Sequence, residues 1–235
     1  MKYRRHDLHG LIVIDKPLGL SSMDVVRRVR RDAGFCRTGH AGTLDPLATG
    51  VLVCCLGKAT RSVQTIMDMT KVYQATVRLD AFTNTDDAEG EPETVRVDQP
   101  PDQSAIRQAL DQLTGSIEQK PPAYSAVKVN GQRAYRLARE GQTVDLPART
   151  VRVDEIRLER YRWPELELTI TCGKGTYIRS LARQIGQALG TGGYLTALRR
   201  TAVGPYTTEH AHGLDELPSP FDSEHLLPAP DPVAS

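Results

Sequence analysis

The chain has 235 residues, of which 39% are hydrophobic and 25% charged, with a formal net charge of +1. That length suits one large domain or two small ones around a substantial core, and the composition excludes a disordered or fibrous chain. The charge is unevenly spread. Residues 209–235 hold six acids and no Lys or Arg, which leaves the preceding 208 residues with 30 bases against 23 acids, a net +7. A basic body suits a polyanion, because Lys and Arg contacts to phosphates release counterions, although a solvated mixed-charge surface gives the same count.

The four cysteines, Cys36, Cys54, Cys55 and Cys172, show no C-x-x-C spacing. Neither a disulfide framework nor a zinc site is expected, and a reducing compartment fits better. The apolar stretch Leu11 to Ile14 is cut off by Asp15, Lys16 and Pro17, too short for a signal peptide. The longest apolar run, Val51 to Leu56, cannot span a bilayer. A cytoplasmic protein that meets no membrane is expected.

In chain order, Leu11 to Ile14 reads as a buried strand stopped by Lys16, Pro17 and Gly19. Ser21 or Ser22 caps a helix through Arg31, with Gly34 just past its end. A Gly-, Thr- and Pro-rich loop runs from Thr38 to Thr49, and Gly50 to Leu56 is a buried strand. Ala59 to Met69 is a predicted helix, and Val72 to Leu79 a strand with alternating faces. Residues 82–100 are polar and acidic, a surface loop or hairpin. Asp102 caps a helix to about Leu113, ended by Gly115. Ala123 to Val129 is a predicted strand, Asn130-Gly131 a turn, and Arg133 to Glu140 a short helix closed by Gly141. Thr150 to Arg162 and Glu165 to Cys172 form an antiparallel pair, Thr176 to Leu189 a helix, and Tyr194 to Val203 a final strand. After Pro205 comes a Pro-rich tail, predicted extended or disordered. Strands and helices mix without strict β-α-β alternation, so the expected class is α+β with a mainly antiparallel sheet.

Two segments carry the chemistry. In Gly39-His40-Ala41-Gly42-Thr43-Leu44-Asp45-Pro46-Leu47-Ala48-Thr49-Gly50, glycines and a proline dictate a specific backbone path and admit another chain closely. Taken alone, Asp45 before Pro46 is most simply a turn residue. In Gly173 to Arg183, Thr176 after Gly175 starts a helix with Arg179 on its first turn, where it can point at an anion or carboxylate; taken alone, it is a surface arginine. Neither segment has the G-x-x-x-x-G-K-[ST] pattern of a phosphate loop.

Six segments, in order, resemble the TruB family of tRNA pseudouridine synthases. They are Leu11 to Ser22, Gly39 to Gly50, Lys71 to Leu79, Pro121 to Arg139, Lys174 to Arg183, and Leu198 to Thr201, within about residues 9–208. The resemblance implies the pseudouridine synthase catalytic fold over residues 1–208, with an insertion at about 83–120 that clamps the RNA arm from one side. Residues 209–235 would then be an acidic Pro-rich tail. It implies that the uridine at position 55 in the T-loop of tRNA is isomerised with no cofactor and no metal, by a monomer. Asp45 would be the catalytic carboxylate, Arg179 its paired cation, and Tyr73 the aromatic ring against the target base, with a hydroxyl that helps remove the C5 proton. For the substrate, Leu198 would line the uracil pocket, and His40 would fill the space left by the flipped base. Lys16 with Pro17 would lie near the same site, Arg61 would contact RNA, and Tyr177 would join the same binding set. Asp80 stands where the family commonly has glycine, and Gly173 where it has serine. The C-terminal RNA-binding module usual in bacterial relatives is expected to be absent, which would lower affinity for whole tRNA. Two competing readings are a tRNA-binding module without turnover and a nucleotide-binding enzyme built on the Gly-rich loops. The pair His210 and His212 is not expected to hold a metal.

Overall fold

A computed structural model describes residues 7–125, 128–129, 132–139, 142 and 146–232. It divides into two compact units: Met1–Tyr73 with Arg199–Ser235, and Gln74–Leu198. The division falls within strands β4 (Lys71–Arg78) and β12 (Tyr194–Val203).

In the first unit, β1 (Gly10–Lys16) pairs antiparallel with β3 (Ala48–Leu56), in register from Gly10 with Leu56 to Lys16 with Gly50. Both strands are buried on both faces, which explains their unbroken apolar sequence. Strand β2 (Thr38–His40) pairs with the far end of β3, β13 (Tyr206–Thr207) pairs with the end of β12, and β14 (His212–Gly213) lies parallel to β1. Helix α1 (Ser22–Asp32) buries Val25, Val26 and Val29. Its cap is Ser21, whose hydroxyl accepts the Asp24 N–H while the Asp24 carboxylate accepts the Ser21 N–H. The helix expected over 59–69 is instead a 3-10 turn (Gly57–Ser62) followed by α2 (Val63–Asp68). The core here is Leu11, Val13, Val51, Val53, Cys55, Ile66, Val203 and Tyr206.

The tail differs from a disordered segment. Leu11 and Leu227 exchange two backbone hydrogen bonds of 2.8 Å, Phe221 is fully buried, and the Ser62 hydroxyl donates to Pro230 O at 2.6 Å. Prolines remove periodicity, yet isolated apolar residues such as Leu217 and Phe221 still anchor an irregular chain.

In the second unit, β4 lies between β12 and β11 (Glu165–Cys172), followed by β10 (Arg149–Arg162) and β7 (Gly115–Gln119). The long β10–β11 hairpin runs from Arg162 opposite Glu165 to Val153 opposite Cys172, with two register shifts. Strand β7, missed in the sequence, pairs with β10 from Arg149 with Gln119 to Val153 with Gly115. The acidic stretch contains a small hairpin of β5 (Ala81–Thr83) and β6 (Pro92–Thr94). Helix α3 (Gln103–Gln112) is capped by Asp102 as expected, and the range 83–120 thus spans a hairpin, a helix and a sheet strand. Of the strand expected over 123–129, residues 123–125 are not strand and Lys128–Val129 form β8, which pairs with β9 (Gln132–Arg133); residues 126–127 lie outside the described ones, as does the 130–131 turn. Helix α4 (Ala134–Arg139) follows, and α5 (Ile178–Leu189) ends at Gly190 in the left-handed region. The fold is α+β with a mainly antiparallel sheet. No helix among the described residues is long and apolar enough to cross a membrane.

Candidate active site

In the first unit the segment from Ala41 to Ala48 is a sharply bent connection between β2 and β3. Gly42 at φ +107° and Gly50 at φ +96° bracket it, conformations that a side chain disfavours. Residues 41 to 46 of the bend, and Ala48, are each fastened. The Ala41 N–H donates to Val53 O at 2.9 Å. Arg200 donates through Nη2 to Gly42 O at 3.1 Å, through Nη1 to Thr43 O at 3.4 Å and through Nε to Val51 O at 2.8 Å. The Ser22 hydroxyl accepts the Leu44 N–H at 2.7 Å and donates to Leu44 O at 2.9 Å. Asp45 O accepts the Ala48 N–H at 3.0 Å, and Pro46 O accepts the Gly19 N–H at 2.9 Å.

Lys16, on β1, lies against this bend. It is fully buried, and its ammonium donates to Leu20 O at 2.7 Å, Pro17 O at 2.9 Å and Pro46 O at 3.5 Å. Burial lowers its pKa to about 8, the nearby Asp45 carboxylate opposes that, and the Arg200 charge adds to it. His40, at the end of β2, has its pKa lowered by burial and by the Arg200 charge, against a backbone hydrogen bond at Gly42 that raises it. Its Nδ1 is buried without a hydrogen-bond partner. Tyr73 is buried at the last residue of this unit. Arg61 is exposed on the 3-10 turn and lines a cleft of about 210 Å³ with His9, Arg37, Lys58 and Thr60. The structure thus brings Lys16, His40 and the Asp45 bend into one group around Arg200, and puts Arg61 in a cleft whose lining includes none of them.

In the second unit, Arg179 sits on the first turn of α5 and is buried. Its Nη1 donates to Thr85 O at 3.2 Å and to Asp87 Oδ2 at 3.3 Å, and its Nη2 to Tyr124 O at 2.8 Å. Asp87 also accepts the Thr85 hydroxyl at 2.6 Å and the Glu89 N–H at 3.1 Å. One helical turn on, Arg183 pairs with Asp86 and donates to Lys120 O at 3.1 Å. Sequence reasoning missed both aspartates; the signal was two adjacent acids in a stretch that otherwise reads as surface loop. Tyr177 precedes α5, its N–H donating to Gln119 Oε1 at 2.7 Å and its ring lying 5.1 Å from the Arg149 guanidinium carbon. Leu198 is buried at the end of this unit. Among the described residues no group of three or more His, Cys, Asp or Glu could hold a metal.

A model of the TruB family pseudouridylate synthase N-terminal domain matches residues 30–178, and one of the tRNA pseudouridylate synthase B C-terminal domain matches 179–226. The chain belongs to the TruB family. Like other members it is a pseudouridylate synthase. It is 52% identical to tRNA pseudouridine synthase B of Thermobifida fusca (strain YX), over 96% of this chain and 79% of that protein. It is 51% identical to the protein of the same name from Arthrobacter sp. (strain FB24), over 89% of this chain and 71% of that one. Among solved structures, a chain of a Cbf5-Nop10-Gar1 complex superposes with a TM-score of 0.70 at 32% identity, over 89% of this chain and 54% of that one. This TruB-family chain therefore spans about half the length of that solved protein.

Proposed function

We propose that this chain isomerises the uridine at position 55 in the T-loop of tRNA to pseudouridine, with Asp45 as the catalytic carboxylate acting on a flipped-out nucleotide. The observation that carries the reading is the Asp45 bend: a carboxylate on a glycine-bracketed turn beside a buried ammonium, inside the segment that matches the synthase model. The named relatives act on tRNA, which supports the substrate class.

The chemistry breaks the C1′–N1 bond, turns the uracil, and joins C1′ to C5. The C5 proton then leaves and N1 gains one, so atoms and electrons balance without an oxidant. Breaking the glycosidic bond builds positive charge at C1′, which an ionised carboxylate stabilises or traps. Asp45 must be charged in a site shielded from water, and cations nearby keep it so. Lys16 is one such cation. In this reading Arg179 is the second, with its guanidinium plane fixed by Thr85, Asp87 and Tyr124. Tyr73 packs on the target base and assists loss of the C5 proton, Leu198 and Tyr177 shape the base pocket, His40 takes the space of the extruded base, and Arg61 meets the RNA backbone. The chain acts in the cytoplasm, where its substrate is.

T-arm RNA carrying tritium at uracil C5 tests the reading. The native protein releases tritium to water, whereas Asp45→Asn binds the same RNA and releases none. Arg179→Lys keeps the charge but loses the planar fork, and releases tritium at least tenfold more slowly. Binding without release by the native protein would make it an RNA-binding module and overturn the proposal.

A further inference from the structure

The sequence offers two adjacent serines at the start of α1, and only one can cap the helix. Ser21 takes that role. Ser22 is left with a hydroxyl that is 2% exposed and makes no capping bond, and both of its hydrogen bonds go to the backbone of Leu44, the residue before Asp45. Arg200 is the other anchor. It is 1% exposed, and its three hydrogen bonds go to backbone carbonyls of the bend and of β3. Its charge nevertheless reaches Lys16 and His40.

We infer that Ser22 and Arg200 are positioning residues for the isomerisation, which clamp the backbone on the N-terminal side of Asp45 and so fix where its carboxylate points. The inference rests on Asp45 being the catalytic carboxylate. The geometric case is that residues 42, 43 and 44 are each held by one of these two side chains, whereas Pro46 is held from the other side by Gly19 and Lys16. A bend with glycine at position 42 has little stiffness of its own, so its shape depends on those bonds. Without Ser22 the Leu44 N–H and C=O lose their partners, and the bend relaxes to satisfy them. A displacement of about 1 Å in a reacting group costs on the order of 100-fold in rate.

The test is single-turnover tritium release and equilibrium binding of T-arm RNA by native protein, Ser22→Ala, Arg200→Lys and Ser62→Ala. Ser62 is equally buried and donates one hydrogen bond to Pro230 O, far along the chain from the bend. Ser22→Ala and Arg200→Lys release tritium roughly 10- to 100-fold more slowly with the RNA dissociation constant within about threefold of native. Ser62→Ala melts at a similarly lowered temperature but keeps the native rate. Arg200→Lys carries a fold risk, and Ser22→Ala decides the matter if it does not fold. Native-like release by folded Ser22→Ala overturns the inference, as does a loss confined to RNA binding, or an equal loss in Ser62→Ala. Absence of release from the native protein would instead overturn the assignment of Asp45.

Discussion

Gly50→Ala is the sharpest single perturbation of the bend. A Cβ at this position would stand 2.2 Å from Arg200 O and 3.0 Å from both Arg200 C and N. Ordinary van der Waals contact begins near 3.4 Å, so β3 and β12 would have to part by about an ångström where they are fully buried. The obstacle is backbone, which cannot swing aside as a flexible side chain would. The φ of +96° adds strain of roughly 1–2 kcal/mol for any L-residue. Parting the strands also breaks the 2.8 Å bond from Arg200 Nε to Val51 O, and a buried group left unpaired costs about 1–3 kcal/mol. The sum, roughly 2–5 kcal/mol, is a large part of the ~5–15 kcal/mol that holds a typical domain folded. At about 2–4 °C per kcal/mol for a chain of this size, the melting midpoint should fall by about 10 °C. Gly173→Ala is the reference: its Cβ would meet only Arg152 at 3.6 and 3.7 Å, and it should melt within about 2 °C of native. Circular dichroism melts of the two variants decide it. A Gly50→Ala protein within about 1 kcal/mol of native would refute the reasoning, because neither the close approach nor the backbone strain could then be real.

Phe221→Ala removes a fully buried ring from the Pro-rich tail and should cost about 3–5 kcal/mol by urea unfolding, whereas an extended, unpacked tail would make it neutral. Lys16 binds its proton more weakly folded than unfolded, so between pH 8 and its ordinary 10.5 the unfolded chain holds the extra proton and stability from this group rises with pH. Urea unfolding across pH 7 to 10.5 should show native protein gaining on Lys16→Met by up to about 1.4 kcal/mol per pH unit; parallel curves would mean that Lys16 titrates normally.

How far the sequence was readable depends on whether a feature is local. The α1 cap, the α3 cap at Asp102 and the β10–β11 hairpin rest on neighbours in the chain, and each lies within a residue or two of its expected place. Strand β7 is short and polar on one face, and it exists only because β10 offers an edge across thirty residues. The start of the helix expected from Ala59 is instead part of a 3-10 turn that begins at Gly57, whose N–H is held to Arg37 O, a contact from outside the segment that periodicity does not report. Asp87 belongs to the same class: its meaning comes from Arg179, far along the chain.

The bend around Asp45 combines both kinds of information. Its glycines and its proline are local and make the segment conspicuous, but they also leave it soft. Stiffness arrives from Lys16 and Ser22 on the near side of the chain and from Arg200 more than a hundred residues later. Those anchors fall in the first and last of the six segments that resembled the family, Leu11 to Ser22 and Leu198 to Thr201. The segments at the two ends of the recognisable region are therefore physically one device with the segment that carries the carboxylate. A chain that kept Gly39 to Gly50 and lost either end would keep the motif and lose the geometry, because hydrogen bonds from β1, the start of α1 and β12, not the motif itself, hold the bend in place.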